Sequence, residues 1–152
     1  MIVAFNLYCR MPFGQIRHQN PVIVQLAESI GRTPSALSMK MDNFARLDPA
    51  HQSRNVGGLS HGGKMDGQIW NEFHANWEAL ALESQQALQR LGLGAAGDAE
   101  PEAPELPSEK PSEATRKVKV RLVQRFFRES VLSSYDFACG ICSMQVTSSH
   151  GQ

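Results

Sequence analysis

Apolar residues recur at helical spacing in successive stretches of the chain, and residues that punctuate helices separate those stretches. Ile2, Val3, Phe5, Leu7 and Tyr8 form a dense first run, which reads as a helix over 1–10. Met11-Pro12-Phe13-Gly14 breaks that run. Asn20 can cap the next helix and Pro21 can fill its first position, while Val22, Ile23, Leu26, Ala27 and Ile30 give it one apolar face. Gly31 supplies the stop. Only Arg32 separates it from a further start, with Thr33 as cap and Pro34 at the first position. Leu37, Met41 and Phe44 form the stripe of this helix, and Leu47 with Asp48-Pro49 closes it.

Two capped helices joined by a short glycine-containing turn match a helix-turn-helix. The inward stripe leaves Ser35, Met39, Asp42 and Arg46 facing away, with Ser38, Lys40 and Asn43 on the flanks. Polar and basic residues early on the second helix suit a reader of the DNA major groove. A plain helical hairpin is the simpler alternative, and Asp42 on the outer face would repel phosphate.

Residues 50–65, with His51, Arg54, His61, Lys64 and two Gly-Gly pairs, read as a polar loop able to touch phosphate. Its two histidines are no metal motif without further ligands. Asp66 is expected to cap one long helix whose face runs through Ile69, Trp70, Phe73, Trp77, Leu80, Ala81, Leu88 and Leu91 to Gly92. Both tryptophans fall on that stripe and are expected in the core. From 92 to 115 the chain is mostly Gly, Ala, Glu, Pro and Ser, a composition expected to form a disordered acidic linker. Val123, Phe127 and Val131, flanked by Leu122 and Phe126, then predict a basic helix from Arg116 to about Tyr135.

Charge sharpens this division. The 15 basic and 15 acidic residues cancel overall, yet residues 10–64 carry seven Lys/Arg against Glu28, Asp42 and Asp48. Residues 65–115 carry ten Asp/Glu against Arg90 and Lys110. Residues 116–128 carry six Lys/Arg and no acid. Such segregation suits basic surfaces that meet a polyanion beside an acidic tether. At 152 residues the chain is sized for one ordinary domain or two very small ones. No apolar run is long enough to span a membrane, and the first residues lack a basic leader, so a cytoplasmic protein is expected.

The sharpest chemical motif is Cys139-Gly140-Ile141-Cys142. Two thiolates at this spacing can supply half of a tetrahedral Zn²⁺ site. The other half is not evident, since only His150 follows and Cys9 lies far off in sequence. No thioredoxin-like βαβ pattern surrounds the pair to mark it as a redox dithiol.

Phe5 to Gln15, Ile30 to Lys40 and Asn43 to Pro49 together resemble bacterial HNH endonucleases of the restriction-endonuclease type. Asp66 to Leu80, Val120 to Tyr135 and the CxxC are similar to the same family. The resemblance implies an N-terminal helical module followed by a ββα-metal nuclease module. In that module a His acts as general base and a divalent metal such as Mg²⁺ stabilises the scissile phosphate. This chain departs from the pattern after Cys142. It runs Ser143 to Gln152 without the later Asn and His positions, and His150 alone is a weak candidate for the catalytic base.

The fold expected is therefore mostly α. A helix-turn-helix domain would occupy 1–91, an acidic linker 92–115, and a basic helix with a truncated start of the HNH module 116–152. Double-stranded DNA is the expected partner. Arg32, Ser35, Ser38, Lys40, Arg54 and Lys64 would contact it from the first domain, and Arg116, Lys117, Lys119, Arg121 and Arg125 from the basic helix. Cys139 and Cys142 are the candidate metal ligands, and the chain is expected to bind DNA without cutting it, with an active metal-dependent endonuclease or a non-enzymatic helical interaction module as the alternatives.

Overall fold

The computed structural model describes residues 1–54, 62–93 and 111–145. Among them the chain is mostly helical, with α1 (Ile2–Arg10), α2 (Pro21–Ser29), α3 (Pro34–Leu47), α4 (Pro49–Ser53), α5 (Lys64–Phe73), α6 (Trp77–Arg90) and α7 (Pro111–Ser134). A single 3₁₀ turn, Phe13–Gln15, follows the Pro12 break.

α1 is the shaft on which the others assemble. Every residue from Val3 to Tyr8 is buried, as its dense apolar run requires, because a helix that is apolar on most sides must be covered on most sides. It packs against α3, α5, α6 and α7. Phe5 lies at its centre, with ring centroids 4.8 Å from Phe44 and 5.6 Å from Trp70. The one polar residue of this stretch, Asn6, is satisfied by donating from Nδ2 to Ser84 Oγ on α6 at 2.7 Å.

The helix ends follow local chemistry. Asn20 Oδ1 accepts the Val22 N–H at 3.0 Å, and Thr33 Oγ1 accepts the Ala36 N–H at 3.2 Å. α2 stops on Gly31 at φ 64°, where the Gly31 and Arg32 N–H groups bond back to the Glu28 and Ala27 carbonyls. α6 stops in the same way on Gly92 at φ 71°, with Gly92 and Leu93 bonded back to Gln89 and Leu88. Only a residue tolerant of the left-handed region can close a helix like this.

Three expectations change. The polar segment after Pro49 opens with a short helix, α4, because Asp48 Oδ1 accepts the Ala50 N–H at 2.9 Å and caps it. The remainder of that loop, 55–61, lies outside the described residues. The long helix expected from Asp66 to Gly92 is two, α5 and α6, since Asn76 Oδ1 takes the Ala79 N–H at 3.2 Å and starts a new helix. Asp66 is the third residue of α5 and not its cap; its carboxylate reaches back to the Gly63 N–H at 2.9 Å.

Of the expected acidic linker, Gly92 and Leu93 belong to the α6 stop and 111–115 to the backbone of α7. Residues 94–110 lie outside the described residues. α7 packs on α1 and α6, and its Phe126 is 4% exposed within the same core as Phe5 and Phe44. Arg10 Nη1 donates to Glu129 Oε2 at 2.6 Å and ties α1 to α7. Trp70 packs against that core as expected, but Trp77 is 38% exposed and meets the rings of Phe126 and Phe127 at 5.7 and 6.3 Å. No described helix is long and apolar enough to cross a membrane.

Candidate nucleic-acid interface

The α2–α3 pair carries the first set of sequence-predicted contacts. Arg32 sits in the turn and Ser35 in the first turn of α3, and both are exposed. Met39 shares that open face. Ser38 and Lys40 are placed differently. Ser38 is buried, and its hydroxyl bonds to the Ser35 carbonyl at 3.1 Å.

Lys40 reaches across to α5, where its Nζ lies 3.0 and 3.2 Å from the two oxygens of Asp66. Asp66 is wholly buried, and Asn43 Nδ2 and the Gly63 N–H also donate to it. A carboxylate out of water needs such a full set of donors, so this cluster fixes the start of α5 against α3. Arg54, at the end of α4, and Lys64, at the start of α5, are exposed at either side of 55–61.

The second set lies on α7. Arg116, Lys117, Lys119, Arg121, Arg125 and Arg128 are all exposed. Arg125 Nε donates to Glu129 Oε1 at 2.9 Å, an i,i+4 pair, and Glu129 also receives Arg10. The same carboxylate thus orients one member of the basic row and anchors the helix. α3 packs on α1, α2, α4 and α5 while α7 packs on α1 and α6, so α1 lies between the two cationic sets.

The chain leaves α7 through Asp136 and Phe137, both in the left-handed region, and turns into a tight hairpin. Ala138 and Gln145 form an isolated antiparallel bridge, and the Cys139 N–H donates to the Met144 carbonyl at 2.7 Å. The Cys139 sulfur accepts the backbone N–H groups of Cys142 and Ile141 and a side-chain hydrogen bond from Cys142, which lower its pKa below the ordinary thiol value. Among the described residues no three His, Cys, Asp or Glu side chains gather as a metal site. His150, the weak catalytic candidate, lies outside the described residues.

A contrasting cluster sits under α4. Tyr8 Oη donates to Asp48 Oδ2 at 2.8 Å, and the His51 ring meets the Phe13 ring at a tilt with centroids 4.5 Å apart. Burial, with the Asp48 carboxylate nearby, pushes the Cys9 thiol up to about 12 and the Tyr8 phenol well above its ordinary value. Neither group is poised to react near neutral pH.

No family model, curated protein or solved structure matches the chain.

The sequence pattern did not show which flanking polar residues of α3 would be buried, nor the Arg10–Glu129 link. Asp66 was visible only as a helix-start acid, and its tie to Lys40 depends on a fold in which α3 and α5 pack. Arg128 joins the basic row of α7 as a further exposed cation, legible in the acid-free run 116–128.

Proposed function

We propose that this protein binds double-stranded DNA, as the DNA-binding part of an HNH-type restriction endonuclease-like protein. The observation that carries this reading is the row of six exposed Lys/Arg residues along α7, on a helix held to the core by Phe126 and Glu129. Exposed cations on a helix can lie along a phosphate backbone and displace its counterions. Arg32 and Ser35 at the start of α3 are the candidates for groove contact in a helix-turn-helix arrangement, with Arg54 and Lys64 on phosphate.

The test is a salt titration of duplex binding by gel shift, with plasmid cleavage assayed in parallel under Mg²⁺ and Mn²⁺. A Kd that rises steeply with salt supports the reading, and a salt-insensitive Kd refutes it. Metal-dependent nicking would extend it to an active nuclease, a role for which His150→Ala is the control.

A second reading, a protein-docking module, draws on the exposed Phe127, Val131 and Trp77 beside the basic row. It predicts no duplex affinity for the wild type.

A further inference from the structure

We propose that the cleft between α2 and the α1–α6 pair binds a small apolar carboxamide, a ligand with a single-ring body and one –C(=O)NH₂ group. The proposal stands on this cleft alone, independently of DNA binding. α1 packs closely on α6 and α2 packs on α3, and where α2 passes α1 and α6 a cavity of about 200 Å³ is left. Val3, Leu7 and Leu26 are its buried walls, and Val22, Leu88 and Leu93 complete the apolar lining. Val22 is 50% exposed and Gln25 is exposed, so the cavity opens to solvent beside α2. An apolar cavity of about 150 Å³ accepts a benzene ring, and the extra space here is that of a small polar group.

Two polar residues on α1 set what that group must be. Asn6 and Arg10 lie one turn apart on the same face of the helix, and both line the cavity. Ser84 Oγ gives its proton to the Leu80 carbonyl, so the Asn6 atom 2.7 Å from it must be the Nδ2 donor. Asn6 Oδ1 is then left without a donor among the described residues, in a side chain that is 5% exposed. Arg10 is the counterpart. Its Nη1 is committed to Glu129 Oε2, while its buried Nε has no acceptor among the described residues.

An unmatched acceptor beside unmatched donors selects a ligand that offers a donor and an acceptor on neighbouring atoms. A carboxamide does so: its NH₂ donates to Asn6 Oδ1 and its carbonyl accepts from Arg10. A carboxylate has no proton for Asn6 Oδ1, and its charge would meet both that oxygen and the Glu129 carboxylate that already pairs with Arg10. A bare hydrocarbon would leave both protein groups unmatched.

The experiment titrates the full chain, labelled with ¹³C in its Leu and Val methyl groups, with benzamide and with benzoate of the same shape, and follows the methyl signals by NMR. With benzamide, the signals of Leu7, Val22 and Leu26 should shift on one saturable curve, while Val131, exposed on α7, stays in place. Benzoate should bind roughly tenfold more weakly. Val22→Trp places an indole at the mouth from a half-exposed position, and should weaken benzamide roughly tenfold with an unchanged circular dichroism spectrum. Asn6→Leu keeps the size and removes the acceptor, and should bring benzamide down to the affinity of benzoate. If Asn6→Leu does not fold, the Val22→Trp result and the benzoate comparison decide.

Three outcomes would overturn the proposal. One is the absence of a saturable shift with benzamide up to its solubility limit, which leaves water as the only occupant. Another is benzoate binding as tightly as benzamide. The third is Val22→Trp binding benzamide at wild-type affinity, which puts the ring elsewhere on the protein.

Discussion

Lys40 and Asp66 are 26 residues apart in sequence, yet Lys40 Nζ lies 3.0 Å from the wholly buried Asp66 carboxylate. The contact joins α3 to α5 across the segment that includes α4, and it commits a cation of the proposed recognition helix to the scaffold. Removing Lys40 leaves a buried carboxylate with only Asn43 and the Gly63 N–H as donors. Lys40→Met should therefore destabilise the protein by about 3 kcal/mol. Asp66→Asn should cost less, because Lys40 can turn to water. Urea unfolding of both variants checks the order, and a Lys40→Met protein as stable as the wild type would contradict it.

The same contact separates two kinds of basic residue. Cations on phosphate act on the salt dependence of binding, whereas Lys40 acts on stability. Replacing Arg116, Lys119 and Arg121 together by Ala should lower the slope of log K against log salt by about 2 to 3. Lys64→Ala should lower it by about 1. Lys40→Ala should leave the slope unchanged while lowering Tm. Gel-shift titrations beside thermal melts resolve the two effects.

Phe126 and Phe127 are neighbours in sequence with opposite environments, 4% and 58% exposed. Phe126 fills the space between α7, α1 and α6, so Phe126→Ala should cost about 3 to 4 kcal/mol. Phe127→Ala should cost less than about 1 kcal/mol. If α7 folded apart from the N-terminal helices, the first substitution would leave their melting unchanged. Trp77 fluorescence reports the contact directly, since its ring touches both phenylalanines.

Much of the helical architecture was legible because its signals are local. Asn20, Thr33 and Gly31 act on the backbone within a few residues, and the structure uses each as a cap or a stop. Asn76 carries the same kind of signal, but the continuous apolar stripe from Ile69 to Leu91 hid the break it makes. Ser38 was misjudged as an accessible flank because α3 is covered by α1, α2 and α5 together, a wider buried arc than one stripe implies. The docking of α7 was illegible for a different reason. Phe126 meets Trp77, about 50 positions earlier, and helical periodicity says that a face must be buried without saying against what. The knuckle at Cys139 and Cys142 was visible as spacing alone, while the hairpin that folds its backbone depends on the turn beyond Tyr135.

The cluster of Tyr8, Cys9 and Asp48 makes alkaline pH destabilising. Cys9 has its pKa pushed from 9.0 to about 12 in the folded chain by burial and by the Asp48 carboxylate. The unfolded chain therefore loses this proton first as pH rises. The contribution to stability is complete below about pH 9 and drains away between about pH 9 and 12, at about 1.4 kcal/mol per pH unit. Tyr8 adds a loss of the same sign above its ordinary value of 10.0, because its phenol is buried and bonded to Asp48. Urea midpoints measured from neutral pH upward should fall from about pH 9 in the wild type. In Cys9→Ala the fall should begin about one unit later and be shallower, leaving the part due to Tyr8. Identical profiles for the two proteins would show that the Cys9 thiol ionises as readily in the fold as out of it.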